Sequence, residues 1–198
     1  MRRLVGIFLG AFMLSAAVPV GAHPHVWIEA QATLAFKQGK VAAVRMRWAL
    51  DEFFSSALIR QFDKDKDKRF NASEVAEVQK NAFSNLKKHS YFTYLRVAGK
   101  TVKVSEVTDF KASIEKGRLI YHFTVPLVTP VDPVKTGFGL TLYDKTFYVD
   151  VQLQKETPLR LVGEGSAGCT HTVAKDKKNP IYFGMVFPRV ATLRCTGS

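Results

Sequence analysis

The sequence predicts an α+β fold, in which an antiparallel sheet or sandwich carries a helix-loop-helix insertion at residues 51–90. Three observations predict it. Residues 26–48 alternate apolar and polar side chains around a turn at Gln38 and Gly39, a pattern typical of a β-hairpin. Residues 51–90 change to helical periodicity, and short apolar segments bounded by turn residues return after Tyr91.

The first element in the chain has the form of a secretory signal peptide at residues 1–22. Basic Arg2 and Arg3 precede an apolar run at residues 4–17, and small residues follow at 20–22. A retained N-terminal anchor is the alternative. Cleavage after Ala22 leaves a single domain at residues 23–198, which we expect in a bacterial periplasm. Export argues against a nucleic-acid partner, although the net charge is +12.

Composition limits the classes of protein to which the chain can belong. The 198 residues are 46% hydrophobic and 23% charged, which is typical of one globular domain. Two cysteines and five histidines exclude zinc clusters built on four thiolates. One long apolar run excludes a solute transporter. The sequence also lacks a Gly-rich phosphate loop, a G-x-S-x-G elbow and an H-E-x-x-H motif.

The insertion predicts two helices joined by a charged loop. Phe54, Leu58 and Phe62 recur at helical spacing in the first helix. In the second helix one apolar face is expected to contain Val75, Val78, Ala82 and Leu86.

The loop between the helices places oxygen donors at positions 1, 3, 5, 7, 9 and 12 of a twelve-residue segment. These are Asp63, Asp65, Asp67, Arg69 through its backbone carbonyl, Asn71 and Glu74. The loop resembles that of an EF-hand, which implies calcium as a cofactor. Position 6, normally glycine, is Lys68, and a left-handed backbone there costs roughly 1 kcal/mol. The alternative is an ion-free loop in which Asn71 and Glu74 form a capping box.

The chain after Tyr91 predicts further strands separated by turns such as Lys116-Gly117. The candidates are residues 92–98, 101–107, 118–125, 138–143, 147–153 and 159–162. Cys169 and Cys195 follow near the C-terminus. In an oxidising compartment they predict a disulfide, and a soft metal site at Cys169 and His171 is the alternative.

A second metal site is predicted at the N-terminus that signal cleavage creates. The chain would begin His23-Pro24-His25, and the free α-amine and imidazole of His23 can chelate one ion. In an extended strand His25 shares a face with His23. Nitrogen ligands of this kind suit zinc, nickel, copper or cobalt. The alternative is a frayed polar terminus without a metal.

Three segments together resemble a known family: Ala-His-Pro-His-Val-Trp at 22–27, the EF-hand-like insertion, and Leu-Tyr-Asp-Lys-Thr-Phe-Tyr-Val-Asp at 142–150. It is the periplasmic domain-of-unknown-function family with an N-terminal His-Pro-His motif. Its members are sometimes labelled as components of ABC-type transport and often accompany a nickel/cobalt-type permease. The resemblance implies that His23 and His25 bind a transition metal.

Further ligands would have to come from the fold. His122, with Asp144 or Asp150, could complete a site of three or four ligands. The alternatives are that His122 is an ordinary sheet histidine and that Asp144 is a turn residue in a hairpin.

We therefore expect a non-enzymatic periplasmic protein that passes zinc, nickel or cobalt to a membrane metal permease and also carries a calcium loop. One alternative is a calcium-stabilised interaction module whose positive charge docks on anionic lipid headgroups or an acidic partner. Another is a copper enzyme that uses the N-terminal histidine.

Overall fold

The computed structural model describes residues 25–196, so the predicted signal peptide at 1–22 and the predicted ligand His23 lie outside the described residues. The α+β class is confirmed, because the described chain forms two sheets and a few helices. The strands are β1 (Val26–Lys37), β2 (Lys40–Leu50), β3 (Thr93–Val97), β4 (Lys100–Lys103), β5 (Thr108–Glu115), β6 (Arg118–Val131), β7 (Phe138–Leu142), β8 (Val149–Leu153), β9 (Leu159–Gly163), β10 (Cys169–Lys175) and β11 (Arg189–Cys195).

The first sheet has the order β5-β6-β2-β1-β8, with β9 also paired to β1. The predicted hairpin is β1 and β2, and burial alternates along β1. The expected antiparallel arrangement is wrong for one edge of this sheet, because β8 and β9 both run parallel to β1. The chain reaches that edge from the second sheet and enters it in the same direction as β1, which a local hairpin cannot do.

The second sheet has the order β10-β11-β7-β3-β4 and is antiparallel in each of its pairs. Cys169 lies directly opposite Cys195, and the two residues form the predicted disulfide. Strands β5, β10 and β11 were not among the predicted segments.

The helices are α1 (Glu52–Phe62), α2 (Ala72–Asn81) and the short α3 (Pro133–Thr136). The predicted second helix is too long, since α2 ends at Asn81 and a 3₁₀ segment, Phe83–Phe92, follows. Phe83 is buried in an aromatic cluster with Phe110, Tyr121 and Phe123. Because Phe83 is buried there, the chain turns toward the core after α2. A continued helix would instead run past the core.

One hydrophobic core contains residues from both sheets and from the insertion. Trp48 of β2 is fully buried and meets Phe123 of β6 edge-on. Leu58 and Phe62 of α1 and Val78 of α2 belong to the same cluster, so the charged loop between these helices is attached to the core at both ends. None of the helices within residues 25–196 is both long and apolar enough to cross a membrane.

Candidate metal centres

The loop between α1 and α2 brings three predicted ligands together. Asp63, Asp65 and Asp67 each offer a carboxylate oxygen, and these oxygens lie within 4.8 Å of one another. Asp63 is the C-cap of α1 and is buried, whereas Asp65 and Asp67 are exposed. Three negative charges at this separation repel one another, so a cation between them lowers the electrostatic energy.

Backbone hydrogen bonds hold these carboxylates in place. Asp63 Oδ2 accepts from Lys68 N at 3.1 Å, Asp65 Oδ1 from Asp67 N at 3.2 Å, and Asp67 Oδ1 from Arg69 N at 2.7 Å. The other oxygen of Asp63, Oδ1, is buried and has no hydrogen-bond partner within the described part of the chain. A buried carboxylate oxygen left unpaired is costly, and a bound cation would satisfy it.

The loop also carries three lysines. Lys64, Lys66 and Lys68 are exposed, and Lys64 Nζ donates to the carbonyl of Gln61 at 2.6 Å. Lys68 adopts the expected left-handed backbone, with φ of 65°, and Lys66 has φ of 60°. The loop therefore adopts the backbone turn that glycine would form without strain. Each lysine in this left-handed conformation costs roughly 1 kcal/mol.

Asn71 and Glu74 form the capping box of α2. Asn71 Oδ1 accepts from Ser73 N and Glu74 N, and Glu74 Oε2 accepts from Asn71 N at 3.0 Å. Glu74 Oε1 also accepts from Lys64 N at 2.6 Å, so this buried carboxylate joins the two ends of the loop. Glu74 does not belong to the aspartate cluster, and the capping box and the cluster coexist in one structure.

His25 immediately precedes β1 and is exposed beside an aromatic ring. Its backbone N donates to Tyr148 O at 2.9 Å, and the two rings are 5.0 Å apart between centroids. Trp27 is in register with Asp150 of the parallel strand β8, so His25 and Asp150 lie on the same face of the sheet. The structure thus places one predicted histidine near one of the predicted carboxylates.

His122 lies in a different part of the first sheet. It pairs with Arg47 of β2, which pairs with Gln31 of β1. Gln31 is six residues from His25, about 20 Å along a strand, so the structure does not bring His122 to His25. Burial and the charge of Arg47 lower the pKa of His122, Glu115 opposes them, and Lys111 adds a further decrease.

Asp144 is a buried residue that organises a turn. It accepts hydrogen bonds from the backbone N of Thr146, Tyr148 and Val149 and from the Thr146 hydroxyl. The predicted turn is present, but the predicted hairpin is wrong, because β7 belongs to the second sheet and β8 to the first. Because its oxygens are occupied in this way, Asp144 stabilises the corner, which is the turn at residues 144–149 that connects the two sheets. Of the two predicted aspartates, Asp150 is the one whose carboxylate is available to a metal ion.

Over residues 8–183 the chain matches the family described as "Protein of unknown function (DUF1007)". The chain belongs to this DUF1007 family. It is 34% identical over 135 residues, 68% of this chain and 95% of the relative, to an uncharacterized 15.5 kDa protein in the trpE 3′ region of Spirochaeta aurantia. It is 30% identical over 148 residues, 74% of this chain, to an uncharacterized Haemophilus influenzae protein, of which the match covers 66%.

In this DUF1007 chain a cavity of about 450 Å³ lies beside Asp150, and sequence reasoning missed it. Its lining includes Asp144, Asp150, Tyr182 and Arg189. Burial raises the pKa of the Tyr182 hydroxyl, and the nearby carboxylates of Asp144 and Asp150 raise it further. The cavity joins strand β8 to a segment some thirty residues later, so no local pattern in the sequence could reveal it.

Proposed function

We propose that this protein binds one calcium ion in the loop from Asp63 to Glu74, and that the ion stabilises the helical insertion. The observation that carries the proposal is the buried, unpaired Oδ1 of Asp63 beside the carboxylates of Asp65 and Asp67. The donor set is entirely oxygen, which matches the preference of calcium for six to eight hard ligands.

The remaining EF-hand-like ligands would be the Arg69 carbonyl, Asn71 and Glu74. Glu74 already spans the loop through Lys64 N and Asn71 N, and it would turn toward the ion to supply carboxylate oxygen. Phe70, at position 8 of the loop, packs against the core of the same chain. A lone loop anchored in this way supports a structural calcium site rather than a sensor that opens.

Calorimetric titration of calcium tests this function. Asp63→Asn should abolish binding, because it removes a charged ligand. Glu74→Gln should weaken binding at least tenfold while leaving the metal-free protein folded, since glutamine can also complete a capping box. Calcium at a hundredfold excess over its Kd should raise the unfolding free energy of the wild type by about 2.7 kcal/mol.

Glu164→Gln is the matched control, since Glu164 is an exposed acid outside the loop and its change should leave calcium affinity intact. If millimolar calcium produces neither binding heat nor a shift in the wild-type melting temperature, the loop is an ion-free capping structure.

A second proposed function is the handling of a transition metal at the start of β1. His25 is exposed on the face that carries Asp150, and His23 with its α-amine would complete the site after cleavage at Ala22. In this proposal the protein is a non-enzymatic periplasmic accessory that passes zinc, nickel or cobalt to a membrane permease. The occupied oxygens of Asp144 and the separation of His122 from the start of β1 favour His25 and Asp150 as the ligands from the fold.

Zinc titration of protein that begins at His23 tests this second function. His25→Ala should lower zinc affinity at least tenfold, and so should one extra residue before His23, which blocks the α-amine as a ligand. Affinity should also fall as the pH falls, because protons compete with zinc for imidazole and amine nitrogen. His171→Ala, on β10 of the other sheet, is the control that should change nothing. Equal zinc affinities for the authentic and the extended chain would exclude the amine.

A further inference from the structure

We propose that the turn at residues 181–187, with the lysines that precede it, docks this protein on an anionic phospholipid surface. The turn is closed by a two-residue bridge, in which Ile181 N donates to Val186 O at 2.8 Å and Val186 N to Ile181 O at 3.2 Å. Phe183 at its tip is fully exposed, and Met185 is 71% exposed. Two large apolar side chains held in water at one tip are unfavourable unless something covers them.

The turn is held in place by Tyr182, which precedes Phe183 in the chain. The ring of Tyr182 packs against Phe147 with 4.2 Å between centroids, and Phe147 belongs to the corner that Asp144 organises. The turn is therefore anchored to the protein through Tyr182, while Phe183 is fully exposed and Met185, although largely exposed, also lines the cavity beside Asp150.

Other exposed aromatic side chains lie at the same end of the molecule. Tyr148 follows Phe147 in sequence and is 54% exposed, and Trp27, beside Asp150 at the start of β1, is 50% exposed. Phe187 at the end of the turn is 39% exposed. Tryptophan and tyrosine are enriched at the boundary between headgroups and acyl chains.

Basic residues precede the turn in the chain, while the carboxylates of Asp144 and Asp150 lie near Tyr182 within it. Lys175, Lys177 and Lys178 are exposed, and the carboxylate of Asp176 between them is bonded to Arg96 at 2.8 Å, which offsets its charge. Basic residues next to exposed apolar ones favour a bilayer that contains anionic lipid. A stable protein interface would need about 800 Å² on each partner, far more than one tight turn presents.

The position of the N-terminal apolar run also supports an orientation in which the turn at residues 181–187 faces the membrane. The apolar run at residues 4–17 precedes the described chain, and seven residues, or eight Cα–Cα steps, separate Ala17 from His25. Fully extended, that link spans at most about 28 Å. His25 is in contact with Tyr148, so before cleavage at Ala22, while the apolar run is inserted in the membrane, the end of the fold with the aromatic tip is the end nearest to the bilayer.

Vesicle binding of the exported, purified protein tests this proposal. We expect it to co-sediment with vesicles that contain phosphatidylglycerol and much less with pure phosphatidylcholine vesicles, with binding that weakens as salt rises. The double change Phe183→Ser and Met185→Ser should lower the vesicle partition coefficient about tenfold or more. Lys177→Glu with Lys178→Glu should do the same. Trp48 is fully buried and Trp27 half-exposed, so a blue shift of tryptophan emission on binding reports Trp27.

Two matched controls separate docking at this end from general surface effects. Phe53→Ser removes an aromatic residue that is 85% exposed on α1, and Lys100→Glu with Lys103→Glu reverses two exposed charges on β4. Both should bind vesicles nearly as the wild type does. The proposal is overturned if the turn variant binds like the wild type or if the β4 variant loses as much binding as the lysine pair. It is also overturned if the wild type ignores anionic vesicles and instead forms a dimer that the turn variant loses.

Discussion

Replacing Cys169 and Cys195 together by serine should lower the free energy of unfolding by about 3 kcal/mol. The disulfide closes a loop of 26 residues, and without it the unfolded chain gains conformational entropy. The bond also joins the ends of β10 and β11, and β10 lies at the edge of its sheet with β11 as its one strand partner in the described chain. Urea denaturation of both proteins measures the difference.

Reducing the disulfide of the wild-type protein gives an independent measurement of the same difference in unfolding free energy. The reduced wild type should unfold near the midpoint of the double serine variant, and the variant itself should not respond to the reductant. A wild type whose thiols are fully titratable after reduction, yet whose midpoint has not moved, would show that the hairpin of β10 and β11 is held by other contacts. That outcome would contradict the entropic argument.

The parts of the fold that sequence predicted share one property, which is that a local pattern determines them. The alternation through residues 26–48 predicts a hairpin because successive side chains of a strand point to opposite faces, and β1 shows that alternation in its burial. Strand β10 was missed for the opposite reason. Its sequence, Cys-Thr-His-Thr-Val-Ala-Lys, is largely polar, and its side chains range from half-buried to exposed.

The partners of the strands could not be predicted from local patterns. Nothing in the residues of β8 indicates that it runs parallel to β1, since that pairing depends on the path of the chain through the second sheet. The ligands of a metal site could likewise be predicted only where they lie close together in sequence. The spacing of Asp63, Asp65 and Asp67 lies within one loop, and the structure does bring them together. His25 precedes β1 and His122 lies on β6, and the strand order separates them.

The end of the second helix shows how packing overrides periodicity. Ala82 and Leu86 continue the apolar spacing of Val75 and Val78, and no glycine or proline marks a stop. The helix ends because Phe83 enters the aromatic cluster against Phe110 and Tyr121. Burial of one large ring contributes about 2–3 kcal/mol, more than the few tenths that helix propensity gives each residue.

Asp144→Ala should lower the free energy of unfolding by about 3 kcal/mol, because it removes the acceptor of several partly buried hydrogen bonds at once. The carboxylate of Asp144 accepts from three backbone N–H groups and one hydroxyl. Asp150→Ala is the control, since the Asp150 carboxylate accepts from Gln152 Nε2 in an exposed setting, and its loss should change stability by less than about 0.5 kcal/mol. Thermal or urea unfolding compares the two variants.

The same pair of variants separates a structural aspartate from a metal ligand. In the presence of zinc, the stabilisation of the wild type should persist in Asp144→Ala and shrink in Asp150→Ala, because Asp150 shares a face with His25 while the oxygens of Asp144 are occupied by the corner. The reverse pattern, with Asp150→Ala indifferent and Asp144→Ala losing the response to zinc, would make Asp144 the ligand. It would then follow that the corner between the sheets rearranges when the metal binds.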